Sequence, residues 1–209
     1  MKAIYLLILA EIAAYFLESP FPYAEFSYLG FSTSSLLHGQ FWTLLTSIFV
    51  HVDIFHLATN MLFLYIFGIA LEERIGAPRT MTIFFTAGIL SLLAGVPFYS
   101  PDTHIVGASI AVSALVGAAV VLAPNRSSAL TLFAPLGLVA TIYLIFNAFM
   151  LTVDQTGGVA YQSHVIGFFV GSVLGLAWRR RRAPSSQALT ESIMPSQRRA
   201  LASSCPSGL

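Results

Sequence analysis

Charge is what this sequence has least of. Asp, Glu, Lys and Arg make up 9% of its 209 residues, against 56% for hydrophobic types, and the mean hydropathy is +0.80. Soluble domains average about a quarter charged residues, so the scarcity excludes an ordinary water-soluble globule and identifies a membrane protein. Cysteine is almost absent as well: Cys205 stands alone, which excludes an internal disulfide and any multi-cysteine metal site. The net charge of +1 lacks the basic surplus that a phosphate backbone attracts and argues against nucleic acid as a partner.

A second scarcity is positional. Apolar runs near the ~20 residues needed to cross a bilayer fall at about 3–17, 54–71, 80–99, 106–123, 129–153 and 162–178. They predict an all-α, polytopic membrane protein whose six transmembrane helices form one bundle over residues 1–182. The tail, 183–209, has Pro, Ser and Gln with little apolar periodicity and is expected to be disordered and cytoplasmic. Six spans put both termini on one side, and the run Arg179 to Arg182 marks that side as cytoplasmic. Lys2, Arg74, Arg79, Arg126, Arg198 and Arg199 all fall in segments this scheme puts inside. The outer segments hold Glu18, Glu25, Asp53, Asp102 and Asp154 and no Lys or Arg.

The first run follows Met1-Lys2 but reads as a span rather than a cleaved signal, because Glu11 interrupts it and its removal would leave five spans. An acid inside a span usually faces the bundle and has a partner, so Glu11 is expected to make a structural hydrogen bond. Residues 18–50 carry many aromatics, among them Phe31, Phe41, Trp42 and Phe49, and no Lys or Arg. That composition suits the outer headgroup boundary, so the segment is expected to lie in the interface rather than cross.

Polar side chains inside the spans gather at one level. His56 and Asn60 are four apart on one face of the second span, Ser109 opens the fourth, and His164 begins the sixth. All three spans run inward. At the helical rise per residue, His56 stands roughly 24 Å above Glu72, Ser109 roughly 26 Å above Arg126, and His164 roughly 22 Å above Arg179. In a hydrocarbon layer about 30 Å thick, these groups converge in its outer third. The packing faces agree with the depths. Ser109, Ser113 and Gly117 share one face of the fourth span, and His164, Gly167 and Gly171 share one face of the sixth, both spaced for close helix approach.

A serine hydroxyl becomes a nucleophile when a base takes its proton, and imidazole is the usual base. The oxyanion that develops needs donors. The Ser109 backbone N–H at a helix start, with His56 and Asn60, supplies them. Acyl transfer, meaning hydrolysis of an amide or ester, uses every part of the set. Each part also has a plainer reading: Ser109 as a packing residue, His56 and Asn60 as an interhelical hydrogen-bonding pair. Metal binding by His51, His56, His104 and His164 is disfavoured because no carboxylate or thiolate lies at ligand spacing, and the chemistry calls for no cofactor. A transporter or channel would spread polar groups through the full depth; here only Glu11 and Asn147 stand apart from the cluster.

These residues resemble the rhomboid family of intramembrane serine proteases. The resemblance covers roughly residues 38–178 and rests on His56-Leu57-Ala58-Thr59-Asn60, Gly68-Ile69-Ala70-Leu71-Glu72 with Gly76, Gly107-Ala108-Ser109, and His164-Val165-Ile166-Gly167 with Gly171. It implies that Ser109 is the nucleophile and His164 the base of a dyad without a third acid, and that His56, Asn60 and the Ser109 backbone hold the oxyanion. Gly107, Gly167, Gly171 and Glu72 are implied as structural support. The implied substrates are single-pass membrane proteins in the lipid bilayer, cut near their outer boundary, with the fifth span as gate, where Pro135 and Gly137 would allow bending. Asp53 is expected to cap the second span.

Three positions depart from the family pattern. Ile110 replaces the usual glycine after the serine and is expected to add bulk where substrate meets backbone. Ser113 replaces an aromatic under the histidine, which predicts a less firmly held His164. Trp42-Thr43 stands for a Trp-Arg pair. The alternative to an active protease is a catalytically inactive member of the same fold that binds and escorts membrane segments.

Overall fold

Among the described residues, each of the six apolar runs contains a helix. The computed structural model describes residues 2–18, 28–123, 125, 135–154 and 159–181. In chain order the helices are α1 (Ala3–Glu18), two short turns α2 (Thr33–Leu37) and α3 (Thr43–Thr46), then α4 (Ile54–Ile75), α5 (Ala77–Phe98), α6 (Ser109–Leu122), α7 (Leu136–Val153) and α8 (Tyr161–Arg181). By length and composition α4, α5 and α7 can cross a membrane, and α6 is a shorter apolar helix. Among the described residues the extended pairing is an isolated bridge between Phe31 and Ile105. The aromatics of 19–27, the stretch 126–134 with Arg126 and the start of the fifth run, and the tail from Arg182 onward lie outside the described residues. Internal contacts group Met1–Leu176 as one unit and Ala177–Leu209 as another; of the second, residues 177–181 are described, as helix.

Local chemistry sets the ends of these helices. Asp53 precedes the first turn of α4 with extended backbone, and its carboxylate accepts from the His56 N–H at 2.8 Å, an N-cap that satisfies an otherwise orphaned donor. Gly76 alone separates α4 from α5; its φ of +84° is a left-handed value that glycine adopts without strain. One turn earlier, Glu72 accepts from the backbone N–H groups of Ala3 and Ile4, both at 2.9 Å. A carboxylate at the start of α1 offsets the positive end of that helix. Lys2 pairs with Glu73 alongside. Above them α4 passes through a π-helical turn, Leu64–Gly68, whose last residue lies against Ile4.

α6 is the axis of the bundle, with every residue from Ile110 to Ala119 buried. Its small residues allow close neighbours. A Cβ at Gly88 of α5 would come within 2.8 Å of the Ala111 Cβ. On the other side, a Cβ at Gly117 would overlap the Phe168 carbonyl of α8, and one at Gly171 would overlap the Ala114 carbonyl. Ser172 donates to the Gly117 carbonyl at 3.0 Å across the same seam.

Residues 28–50 form no crossing helix; they clamp the loop that leads into α6. Phe31 and Ile105 exchange backbone hydrogen bonds of 3.1 and 2.7 Å, Ser34 N–H reaches the Pro101 carbonyl at 2.9 Å, and Gly107 N–H reaches the Ser47 carbonyl at 2.8 Å. Ile110 belongs to this clamp. It packs in a buried cluster with Phe31, Leu92 and Ile105, so its bulk points into the core and not toward substrate, contrary to the expectation above. The predicted bend in the fifth run also differs: Pro135 is the N-cap of α7, so Pro135 and Gly137 sit at the start of that helix.

Glu11 departs from its expectation too. It is fully buried, and among the described residues neither carboxyl oxygen has a hydrogen-bond partner; the nearest cationic candidate is His51 Nδ1 at 4.0 Å. Burial first, and the neighbouring His56 second, push the His51 imidazole down to about 4, so it is neutral at pH 7 and supplies no counter-charge. An unsatisfied buried polar group costs about 1–3 kcal/mol. Replacing Glu11 by leucine is therefore expected to raise the thermal midpoint in detergent; an unchanged or lower midpoint would show that the carboxyl is structurally engaged.

Candidate active site

Ser109, His164, His56 and Asn60 come from three helix beginnings, and the fold brings those beginnings to one end of the bundle. They line a single cavity of about 570 Å³, together with Tyr143, Phe146 and Asn147 from the middle of α7 and with Asp53, His104 and Tyr161. Ser109 is the first residue of α6, where backbone N–H groups have no intrahelical partner. His164 lies in the first turn of α8, its backbone N–H bonded to the Ala160 carbonyl at 3.1 Å. The α6–α8 seam sets their separation: His164 Nε2 is 2.7 Å from Ser109 Oγ.

His56 and Asn60 of α4 line the same cavity. His56 packs against Gly107, where a Cβ would lie 2.5 Å from the ring; Gly107 also has φ +104°, so a side chain there is excluded twice. The His56 ring meets His51 edge-on at 5.1 Å. Asn60 donates one amide N–H to the His56 carbonyl at 2.9 Å. Its amide carries a second donor hydrogen, and its side chain lines the cavity. Gly167 lies over the Ile110 carbonyl and Ser113, and Gly171 over Ala114. Glu72 is far from the cavity, at the start of α1.

Two residues of the site were missed by sequence reasoning. Asn147 on α7 is buried, with Oδ1 2.9 Å from His164 Nδ1. Tyr143, one turn earlier, approaches Ser113 Oγ at 2.5 Å, and Ser113 also donates to the Ser109 carbonyl at 2.7 Å. Contrary to the expectation of a less firmly held His164, its ring has a partner at both nitrogens, Asn147 Oδ1 and Ser109 Oγ. The available signal was Asn147 itself: an amide in an otherwise apolar span, four residues from Tyr143 and so on the same face. Among the described residues no three His, Cys, Asp or Glu side chains gather as a metal site.

The helical membrane fold thus brings a serine and a histidine into hydrogen-bond contact inside a cavity with a largely apolar wall and a few convergent polar groups, the build of a membrane-embedded site. The chain belongs to the rhomboid family: residues 38–181 match the family model described as the Rhomboid domain. It is 34% identical to the rhomboid protease GluP of Bacillus subtilis over 145 residues, 68% of this chain and 28% of that protein. It is 28% identical to the mitochondrial RHOMBOID-like protein 12 of Arabidopsis thaliana over 173 residues, 72% of this chain and 49% of the relative. Rhomboid-like protease 3 of Toxoplasma gondii is 27% identical over 140 residues, 65% of this chain and 51% of the relative. The chain thus spans between about a quarter and a half of the length of these relatives. At the level of the family, the activity is proteolysis of membrane proteins within the bilayer.

Proposed function

We propose that this chain is an intramembrane serine endopeptidase that cuts single-pass membrane proteins near the outer boundary of their spans, with Ser109 as nucleophile and His164 as base. The observation that carries the reading is the 2.7 Å contact between Ser109 Oγ and His164 Nε2 inside a cavity that also holds His56 and Asn60. Ser109 Oγ attacks the scissile carbonyl as its proton passes to Nε2. The oxyanion is held by the Ser109 N–H, the free amide hydrogen of Asn60 and His56. The imidazolium then gives the proton to the leaving amine, and water repeats the sequence on the acyl-enzyme.

Six crossings over residues 1–182 and both termini in the cytoplasm complete the reading, with 183–209 as a cytoplasmic tail. The distribution of basic residues supports that topology, and it opens the cavity to the outer side, where water is available. A substrate helix must unwind locally to expose its carbonyl, so glycine or proline near the cut lowers the cost. The feature that favoured an inactive, segment-binding protein was Ile110, and its side chain is in the core.

The test is a fluorophosphonate probe applied to the full chain in liposomes. Labelling at Ser109, with none in Ser109→Ala, is the expected result. Labelling that survives in that variant would assign the nucleophile elsewhere, and an unlabelled wild-type chain would return the reading to the inactive alternative.

A further inference from the structure

Asn147 reaches the site from α7, a helix that is exposed along much of its length. Leu136, Ala140 and Asn147 are its buried residues, while Leu138, Ile142, Ile145, Phe146 and Phe149 are exposed. The Asn147 amide is oriented by its own helix: Nδ2 donates to the Tyr143 carbonyl at 2.9 Å. A carbonyl only accepts, so the nitrogen must face it. Oδ1 is thereby turned toward His164 Nδ1, and an amide oxygen can only accept. The proton of the neutral imidazole therefore sits on Nδ1, and Nε2 presents its lone pair to the Ser109 hydroxyl 2.7 Å away.

We propose that Asn147 is the positioning residue of this site: it selects the Nδ1–H tautomer of His164 and aims Nε2 at Ser109. The inference rests on the Ser109–His164 reading above. It adds a third, uncharged member to what the sequence presents as a dyad, and it places that member on a different helix from either partner. The alignment of the base consequently depends on α7 being seated against α6 and α8.

Two readouts separate positioning from mere packing. Asn147→Leu keeps the branching and the number of heavy atoms of the side chain, in a somewhat larger envelope, but removes the acceptor; Asn147→Asp keeps an acceptor oxygen. In reporter cleavage the leucine variant is expected to lose on the order of 10²-fold in kcat with KM little changed, the scale of a misaligned reacting group, while the aspartate variant recovers most of it. The second readout needs no activity. Nitrogen NMR of the full chain in micelles, with ¹⁵N-labelled histidine and His164→Ala for assignment, should show Nδ1 protonated and Nε2 bare in the wild type, and a mixture of tautomers in Asn147→Leu. Equal kcat in the leucine variant and the wild type, or an unchanged His164 tautomer in it, would overturn the role. A wild-type chain that shows the fixed tautomer yet cleaves nothing would sink the protease reading while leaving the Asn147–His164 assignment standing.

Discussion

Ser109→Ala, His164→Ala and the double variant are each expected to cut a single-pass reporter in liposomes at least about 10³–10⁴-fold more slowly than the wild type, with the double no worse than either single. The reason for equal losses is geometric. Ser109 Oγ and His164 Nε2 share one proton across 2.7 Å; without the base the hydroxyl is not activated, and without the hydroxyl the base has nothing to activate. Residues that act as one unit do not add. Residual cleavage over background would report what His56, Asn60 and the Ser109 N–H achieve alone. Losses that multiplied in the double variant would mean that the two residues serve separate steps, and the dyad would have to be abandoned.

Gly171→Ala is expected to lower stability by about 1–3 kcal/mol, whereas Gly175→Ala, one turn along the same helix, is expected to be neutral or slightly stabilising. At Gly171 the new Cβ would overlap the main-chain carbonyl of Ala114, and a carbonyl inside a packed helix cannot move alone. At Gly175 the Cβ would meet Ala118 and Val121 at 3.4 Å, an ordinary contact, and alanine is the better helix former. The same seam sets the Ser109–His164 distance, so probe labelling should fall together with the thermal midpoint in Gly171→Ala and remain in Gly175→Ala. Labelling that persisted while the midpoint fell would show that the site does not depend on this seam. Gly117→Ala, facing the Phe168 carbonyl from the other side, should behave as Gly171→Ala does.

These glycines show how far a linear reading reaches. The four-residue spacing of small side chains on two spans was enough to predict faces that permit close approach, because helical periodicity is a local property. The Asp53 cap was legible for the same reason: a capping side chain reaches only its own first turn. Ile110 was misread because the residue after a helix-opening serine turns to a different face from the serine itself, and what covers that face, Phe31 from a distant segment, is not local information. Asn147 was set apart because counting along one span cannot show which neighbour its amide meets.

By itself the sequence determined the membrane class, the approximate placement of the apolar helices, the Asp53 cap and the kinds of reactive side chain available, all of which follow from hydropathy, period and the reach of a side chain within one turn. Only the tertiary structure decided which atoms touch: that Oδ1 of Asn147 lies on Nδ1 of His164, that the Tyr143 hydroxyl meets Ser113 across the α6–α7 contact, and that Glu11 is buried with no hydrogen bond among the described residues. Helix-to-helix contacts depend on rotation and offset between elements far apart in the chain. Those two quantities are set by the sum of packing around α6.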